Sequence, residues 1–429
     1  MTRATEIFVP SDFPTYTYVQ REDENLERQM RDALETPNSP ISLSGPSKTG
    51  KTALVRKIVG EDNLIHIFGS QIESPSDLWD IILAWMDTPT SIAESKGSSE
   101  SLTPTANTNG KIGIPGVAEL TIGGAISSST AANINSTSTR NNKGLSAVSR
   151  EIANSEFVVF LDDFHYIPRD LQELVGQQIK TASESGIRFC VASVPHRSDD
   201  IVRSNHELRG RTINLDTKYW SEGDLYRIGQ QGFEALNVDI DESVIKRFAR
   251  ESCTSPQIMQ ALCLQLCFDL DLRESKDERK NYKASDITIA HALERTSTRT
   301  DYSSLLKQMH AGPRTRGTER KEFEFTDKSR GDAYRACLLA LMADPPAMEY
   351  NYADLLDRIS TVCLSEKPSG SSVTESLKQI AGFAELMHPK QKIVEWDADA
   401  ASGTFAIIDP YFLFFLRSSE LVKILAASS

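Results

Sequence analysis

One octapeptide constrains this chain more than any other feature: Gly45-Pro46-Ser47-Lys48-Thr49-Gly50-Lys51-Thr52. It is reached through a short apolar stretch, Ile41 to Leu43, and runs into a helical pattern with Ala53, Leu54, Ile58 and Val59 on one side. Gly45 and Gly50 take the two glycine positions of G-x-x-x-x-G-K-[ST]. Glycine lets several backbone N–H groups aim at one point, and a helix N-terminus adds the positive end of its dipole. Such a cradle suits the phosphates of a nucleotide, with Pro46, Ser47, Lys48 and Thr49 completing the loop. Lys51 would reach the β- and γ-phosphates of ATP, and the Thr52 hydroxyl would ligate Mg²⁺. A glycine turn with a lone lysine is the plainer reading, but it does not call for a strand before the turn and a helix after it.

A second feature fits the first. Phe157-Val158-Val159-Phe160-Leu161 is an apolar run that ends in Asp162-Asp163. In an open parallel sheet the carboxyl ends of the strands share the edge where a phosphate loop lies. Asp162 would hold the metal through water, and Asp163 would position or deprotonate the attacking water. His165 is close in sequence, yet a histidine there more often makes a structural hydrogen bond. Further strands are expected at Leu64 to Phe68, Arg188 to Ala192 and Arg211 to Leu215, separated by helical segments. This alternation predicts an α/β fold with a parallel P-loop NTPase sheet covered on both faces.

The 429 residues exceed one ordinary core. We expect a P-loop core over 1–220, a helical lid over 221–272, a charged linker or hinge over 273–330 and a C-terminal domain over 331–429. The last has three helices, near Ala333 to Met342, Tyr352 to Cys363 and Val373 to Met387, then strands at Lys392 to Trp396 and Thr404 to Ile408. That order is a winged helix. Residues 88–142 turn abruptly to Ser, Thr, Asn and Gly and read as an insertion. Alternation over 111–122 fits a β-hairpin tip, and a disordered surface loop fits equally.

On these residues the chain resembles the AAA+ and STAND-type signalling ATPases, particularly those similar to origin-recognition and archaeal-type ATPases. Tyr18-Val-Gln-Arg-Glu-Asp23 looks like the family's opening motif, and Phe405-Ala-Ile-Ile-Asp-Pro-Tyr-Phe-Leu-Phe-Phe415 like its C-terminal phrase. The resemblance implies a γ-phosphate-sensing residue at Ser193, where an ordinary strand-end hydroxyl is the other reading. It also implies a trans-acting arginine at Arg209 or Arg211, against which stands a surface ion pair. Ser255-Pro256-Gln257 looks like the lid motif, but glutamine replaces the arginine that often follows the proline. This departure favours slow, switch-like hydrolysis.

The formal charge of −13 disfavours a general nucleic-acid binder. The expected third helix of the winged helix offers Lys378 against Glu375 and Glu385. The basic residues Arg314, Arg316, Arg320 and Lys321 lie in the expected hinge. No apolar run approaches the roughly 18 residues of a membrane span. Six cysteines lack metal-type spacing and read as buried thiols of a cytoplasmic protein. The expectation is an ATPase switch that assembles with itself or a protein partner, through the winged helix or the 88–142 insertion. The alternative is a DNA-binding ATPase of replication, transposition or recombination.

Overall fold

In the computed structural model the described residues are 1–21, 24–86, 144–194, 210–314, 320–389, 391–397 and 403–427, with the backbone of four short strand segments between 91 and 141. Five strands form the central sheet: β1 (Ile41–Ser44), β2 (Leu64–Phe68), β3 (Val158–Asp162), β4 (Arg188–Ser193) and β5 (Ile213–Asp216). All pairs are parallel, in the order β2-β3-β4-β1-β5. Successive residues of a strand face opposite sides, and here both sides are apolar. Val159 and Leu161 join Ile65, Ile67, Phe189 and Val191 in one core. Val158 and Phe160 join Leu43, Cys190, Ala192 and Leu215 in the other. Helices must therefore cover both faces. Asp77–Trp85, Gly144–Ile152 and Arg169–Glu184 cover the first, and Leu26–Glu35 and Lys51–Val59 the second.

Register fixes what reaches the carboxyl edge. Ser44 pairs with Ser193 on one side and Asp216 on the other, and Phe68 pairs with Asp162. The chain leaves β1 there into the glycine loop.

After the sheet come the helices Glu222–Ala235, Glu242–Glu251 and Pro256–Asp269, in the stretch expected as a helical lid. The lead-in folds back onto them, with Phe8 packed edge-on against Phe233 at 5.1 Å between ring centroids. The stretch read as a charged linker differs from expectation. It carries two helices, Asp286–Ser297 and Ser303–Ala311. Ile289, Ala292, Leu293, Leu305, Leu306 and Met309 bury their side chains in the core shared by the lid and the C-terminal helices. Charge here coats an amphipathic helix rather than marking a bare hinge.

The last part contains the helices Ala333–Met342, Tyr352–Val362 and Gly370–Met387, with an antiparallel sheet of Glu349–Asn351, Thr404–Ile407 and Val394–Asp397. A further helix, Pro410–Ser418, starts at Asp409, whose side chain accepts from the Tyr411 N–H. In the insertion, Ser91–Ser95 pairs antiparallel with Thr137–Asn141. The hairpin expected over 111–122 lies outside the described residues. Among the described residues no helix is long and apolar enough to cross a membrane.

Candidate nucleotide site

The loop after β1 is shaped by its two glycines. A Cβ on Gly45 would stand 1.7 Å from Thr217 Oγ1, so only glycine lets the loop pass β5. Gly50 has φ +90°, a left-handed conformation that L side chains resist, and it caps the following helix. Thr49 Oγ1 donates to the Pro46 carbonyl at 2.8 Å, and Trp220 Nε1 donates to the Thr49 carbonyl at 2.8 Å. The loop is thus held from inside and from the start of the lid.

Lys51 is buried, and its Nζ donates to the carbonyls of Gly45 and Pro46, each at 2.8 Å. Burial lowers its pKa, against the opposing pull of Asp162 and Asp163. Thr52 Oγ1 donates to Asp162 Oδ2 at 2.6 Å, which brings together the two residues expected at the metal. His66 Nε2 lies 3.4 Å from the same oxygen. Burial would raise the Asp162 carboxyl, but His66, Thr52 and Lys51 outweigh it and hold it below the ordinary range. Asp163 meets the opposite balance: burial and the Asp162 charge push it up to about 6. It also adopts φ +55°, which turns the chain sharply away from β3. One cavity of about 710 Å³ is lined by Lys48, Lys51, Thr52, Asp162, Asp163 and residues of the lead-in, lid and C-terminal part. That volume lies within the range of small-molecule sites. The crowding at Gly45, the buried Lys51 and the Thr52–Asp162 contact all fit a nucleotide phosphate group with a hard divalent cation.

Ser193 ends β4 beside Ser44, and its carbonyl accepts from Gly45 N–H at 3.2 Å. Its Oγ is buried without a hydrogen-bond partner among the described residues. His165 lines the cavity with its ring 4.4 Å from that of Tyr166. Arg209 lies outside the described residues. Arg211 is exposed before β5, at the opposite edge of the sheet, and pairs with Glu184 at 2.6 Å. Within this chain it does not join the phosphate loop.

Two residues at the site escape sequence reasoning. His66 sits inside an apolar strand with nothing local to mark its partner. Asp409, 361 positions from Lys48, accepts from Lys48 Nζ at 2.7 Å. The local signal for Asp409 is structural: an aspartate before Pro410 reads as a helix N-cap.

A strand order of β2-β3-β4-β1-β5, a phosphate loop after β1 and a carboxylate ending β3 give the chain the α/β fold with a parallel sheet that the sequence predicts. No family model matches the chain, and no curated protein matches it. Among solved structures it is similar to the ORC2 protein of Aeropyrum pernix, at 12% identity and TM-score 0.49, over 99% of this chain and 98% of that one. It is also similar to a Walker-type ATPase of Pyrococcus abyssi, at 14% identity and TM-score 0.47, over 93% and 96%. Cdc6p of Pyrobaculum aerophilum is similar at 11% identity and TM-score 0.40, over 98% of each chain.

Proposed function

We propose that the chain is a slowly hydrolysing ATP switch, in which nucleotide at the phosphate loop repositions the C-terminal part, a winged-helix domain. The observation that carries this reading is the bridge between Lys48 and Asp409. Asp409 is buried and fully engaged: Tyr302 Oη and Gln391 Nε2 each donate to its Oδ2 at 2.7 Å, and Lys48 reaches Oδ1. Lys48 also stands over the Tyr411 ring at 4.4 Å. A polyphosphate entering the cavity brings several negative charges beside both partners. It competes for Lys48, whose side chain is 30% exposed, and repels the buried Asp409. Because Asp409 is fastened to Tyr302 and Gln391, that force acts on the whole C-terminal part.

For the chemistry, Mg²⁺ held at Thr52 and Asp162 would neutralise charge between the phosphates. Lys51 would bind and orient the phosphates and Asp163 would hold the proton acceptor position, while Ser193, buried at the end of β4, would need its Oγ uncovered to sense a phosphate. Gln257, in place of an arginine, brings no charge from the lid. Hydrolysis therefore stays slow, and the nucleotide state persists. An arginine finger from Arg209 or Arg211 would act only across an assembly.

Reading DNA would require a basic face on the helix Gly370–Met387. There Lys378 is exposed between the equally exposed Glu375 and Glu385, so a protein partner or a second copy fits better. The test is the solution mass of the protein without nucleotide, with ADP and with a non-hydrolysable ATP analogue, each with and without duplex DNA. Assembly with the ATP analogue alone is expected. A mass gain confined to the DNA samples would replace this reading with the DNA-binding one.

A further inference from the structure

Away from the phosphates, the same cavity ends between the lead-in and the lid, where Val9, Pro10, Val19, Ile228 and Pro256 give it apolar walls. Polar side chains line it too, among them Thr17, Glu27, Gln257 and Gln260. Gln260, on the lid helix Pro256–Asp269, is 4% exposed and lines the cavity. Its amide orientation is set by a short chain of hydrogen bonds. Thr17 Oγ1 has a single proton, and it donates to the Ile7 carbonyl at 3.1 Å. Thr17 can then only accept from Gln260, whose Nε2 lies 2.5 Å away. The amide cannot flip without setting two acceptors against each other. Its Oε1 is left buried with no hydrogen-bond partner among the described residues. An unpaired buried acceptor is unfavourable unless something supplies a donor.

Resting on the nucleotide reading above, we propose that Gln260 Oε1 is the specificity-determining acceptor for the 6-amino group of adenine, with Thr17 as the residue that positions it. A 6-oxo purine presents lone pairs at that place instead of N–H groups, so it meets the acceptor with repulsion. A base with hydrogen at that carbon leaves the acceptor unpaired. A site built around a required hydrogen bond discriminates far more sharply than one built on shape. The arrangement also ties recognition of the base to closure, because Thr17 belongs to the lead-in and Gln260 to the lid.

The test compares binding of ATP, inosine triphosphate and purine-riboside triphosphate to the full-length protein by titration. ATP is expected to bind about 10- to 100-fold tighter than either analogue. Gln260→Met should weaken ATP by about 10-fold or more, leave inosine triphosphate nearly unchanged and so collapse the ratio. Thr17→Val should lower the ratio part of the way, since the amide is then free to turn. Wild-type protein that binds ATP and both analogues alike overturns the assignment, whether or not the variants fold. So does a Gln260→Met variant that keeps the wild-type ratio. Glu27 is a second buried acceptor on the cavity, with Oε2 unpaired among the described residues. Loss of discrimination in Glu27→Gln, with Gln260→Met unaffected, would transfer the role to Glu27. A wild-type protein that binds none of the three nucleotides would instead remove the nucleotide reading itself.

Discussion

On the sheet, two separate cores back the two faces of five strands, whereas beyond Trp220 one large core, with a small satellite at Phe323, Phe325 and Ala336, runs from the helices after the sheet through Asp286–Ser297 and Ser303–Ala311 to Phe414 and Val422. This large core also reaches back to Ala4, Ile7 and Phe8. Polar contacts reinforce it. Arg417, 7% exposed, pairs with Glu251 of the lid at 3.2 Å and with Asp344 at 2.7 Å. The contrast bears on mechanism. The sheet half holds the residues proposed to handle phosphate, while the helices after Trp220 share one tightly packed core, the kind of material the proposed switch needs to transmit displacement. Between the halves, Lys48 of the glycine loop pairs with Asp409, a buried carboxylate that caps the helix Pro410–Ser418.

The comparison can be broken at several points. On the sheet side, Asp163→Asn should leave nucleotide binding intact and lower turnover by about 10²- to 10⁴-fold, the usual range for a lost general base. Normal hydrolysis in that variant would take Asp163 out of its role. Lys51→Ala should weaken ATP binding by about 100-fold in an equilibrium titration, since a desolvated charge partner of the phosphates is lost. Undiminished affinity would refute the loop assignment. On the other side, Arg417→Met should cost about 2 kcal/mol in denaturant unfolding, discounted because Asp344 is largely exposed. If the lid and C-terminal helices unfold in separate steps in the wild type, the shared core is not one cooperative unit. Least affected should be Arg211→Ala, an exposed ion pair, which is expected to change stability by less than about 1 kcal/mol.

The parts legible in the sequence are those written in contiguous residues. The glycine loop, the strand ending in Asp162 and the lid helix after Ser255-Pro256 each carry their own local reason to form. What the sequence reading does not reach is pairing across the chain. Nothing near Lys48 points to Asp409, and nothing near Gln260 points to Thr17, because tertiary packing alone brings them together. The helix Asp286–Ser297 is a different kind of miss. Ile289, Ala292, Leu293 and Thr296 are all buried and spaced at helical intervals, yet the charges on the opposite face and the neighbouring loops masked the stripe. Arg211 shows the plainer of its two expected contacts, a pair with Glu184, within this chain.

The most direct test of the central claim is amide hydrogen exchange over Asp409 to Ser418, with and without a non-hydrolysable ATP analogue, in wild type and in Lys48→Ala. The account predicts faster exchange in wild type when the analogue binds. It also predicts that Lys48→Ala already exchanges fast without nucleotide and gains little more on binding. Exchange in this helix that ignores both the nucleotide and the substitution, while binding is verified in the same samples, would contradict the coupling of phosphate loop to C-terminal part.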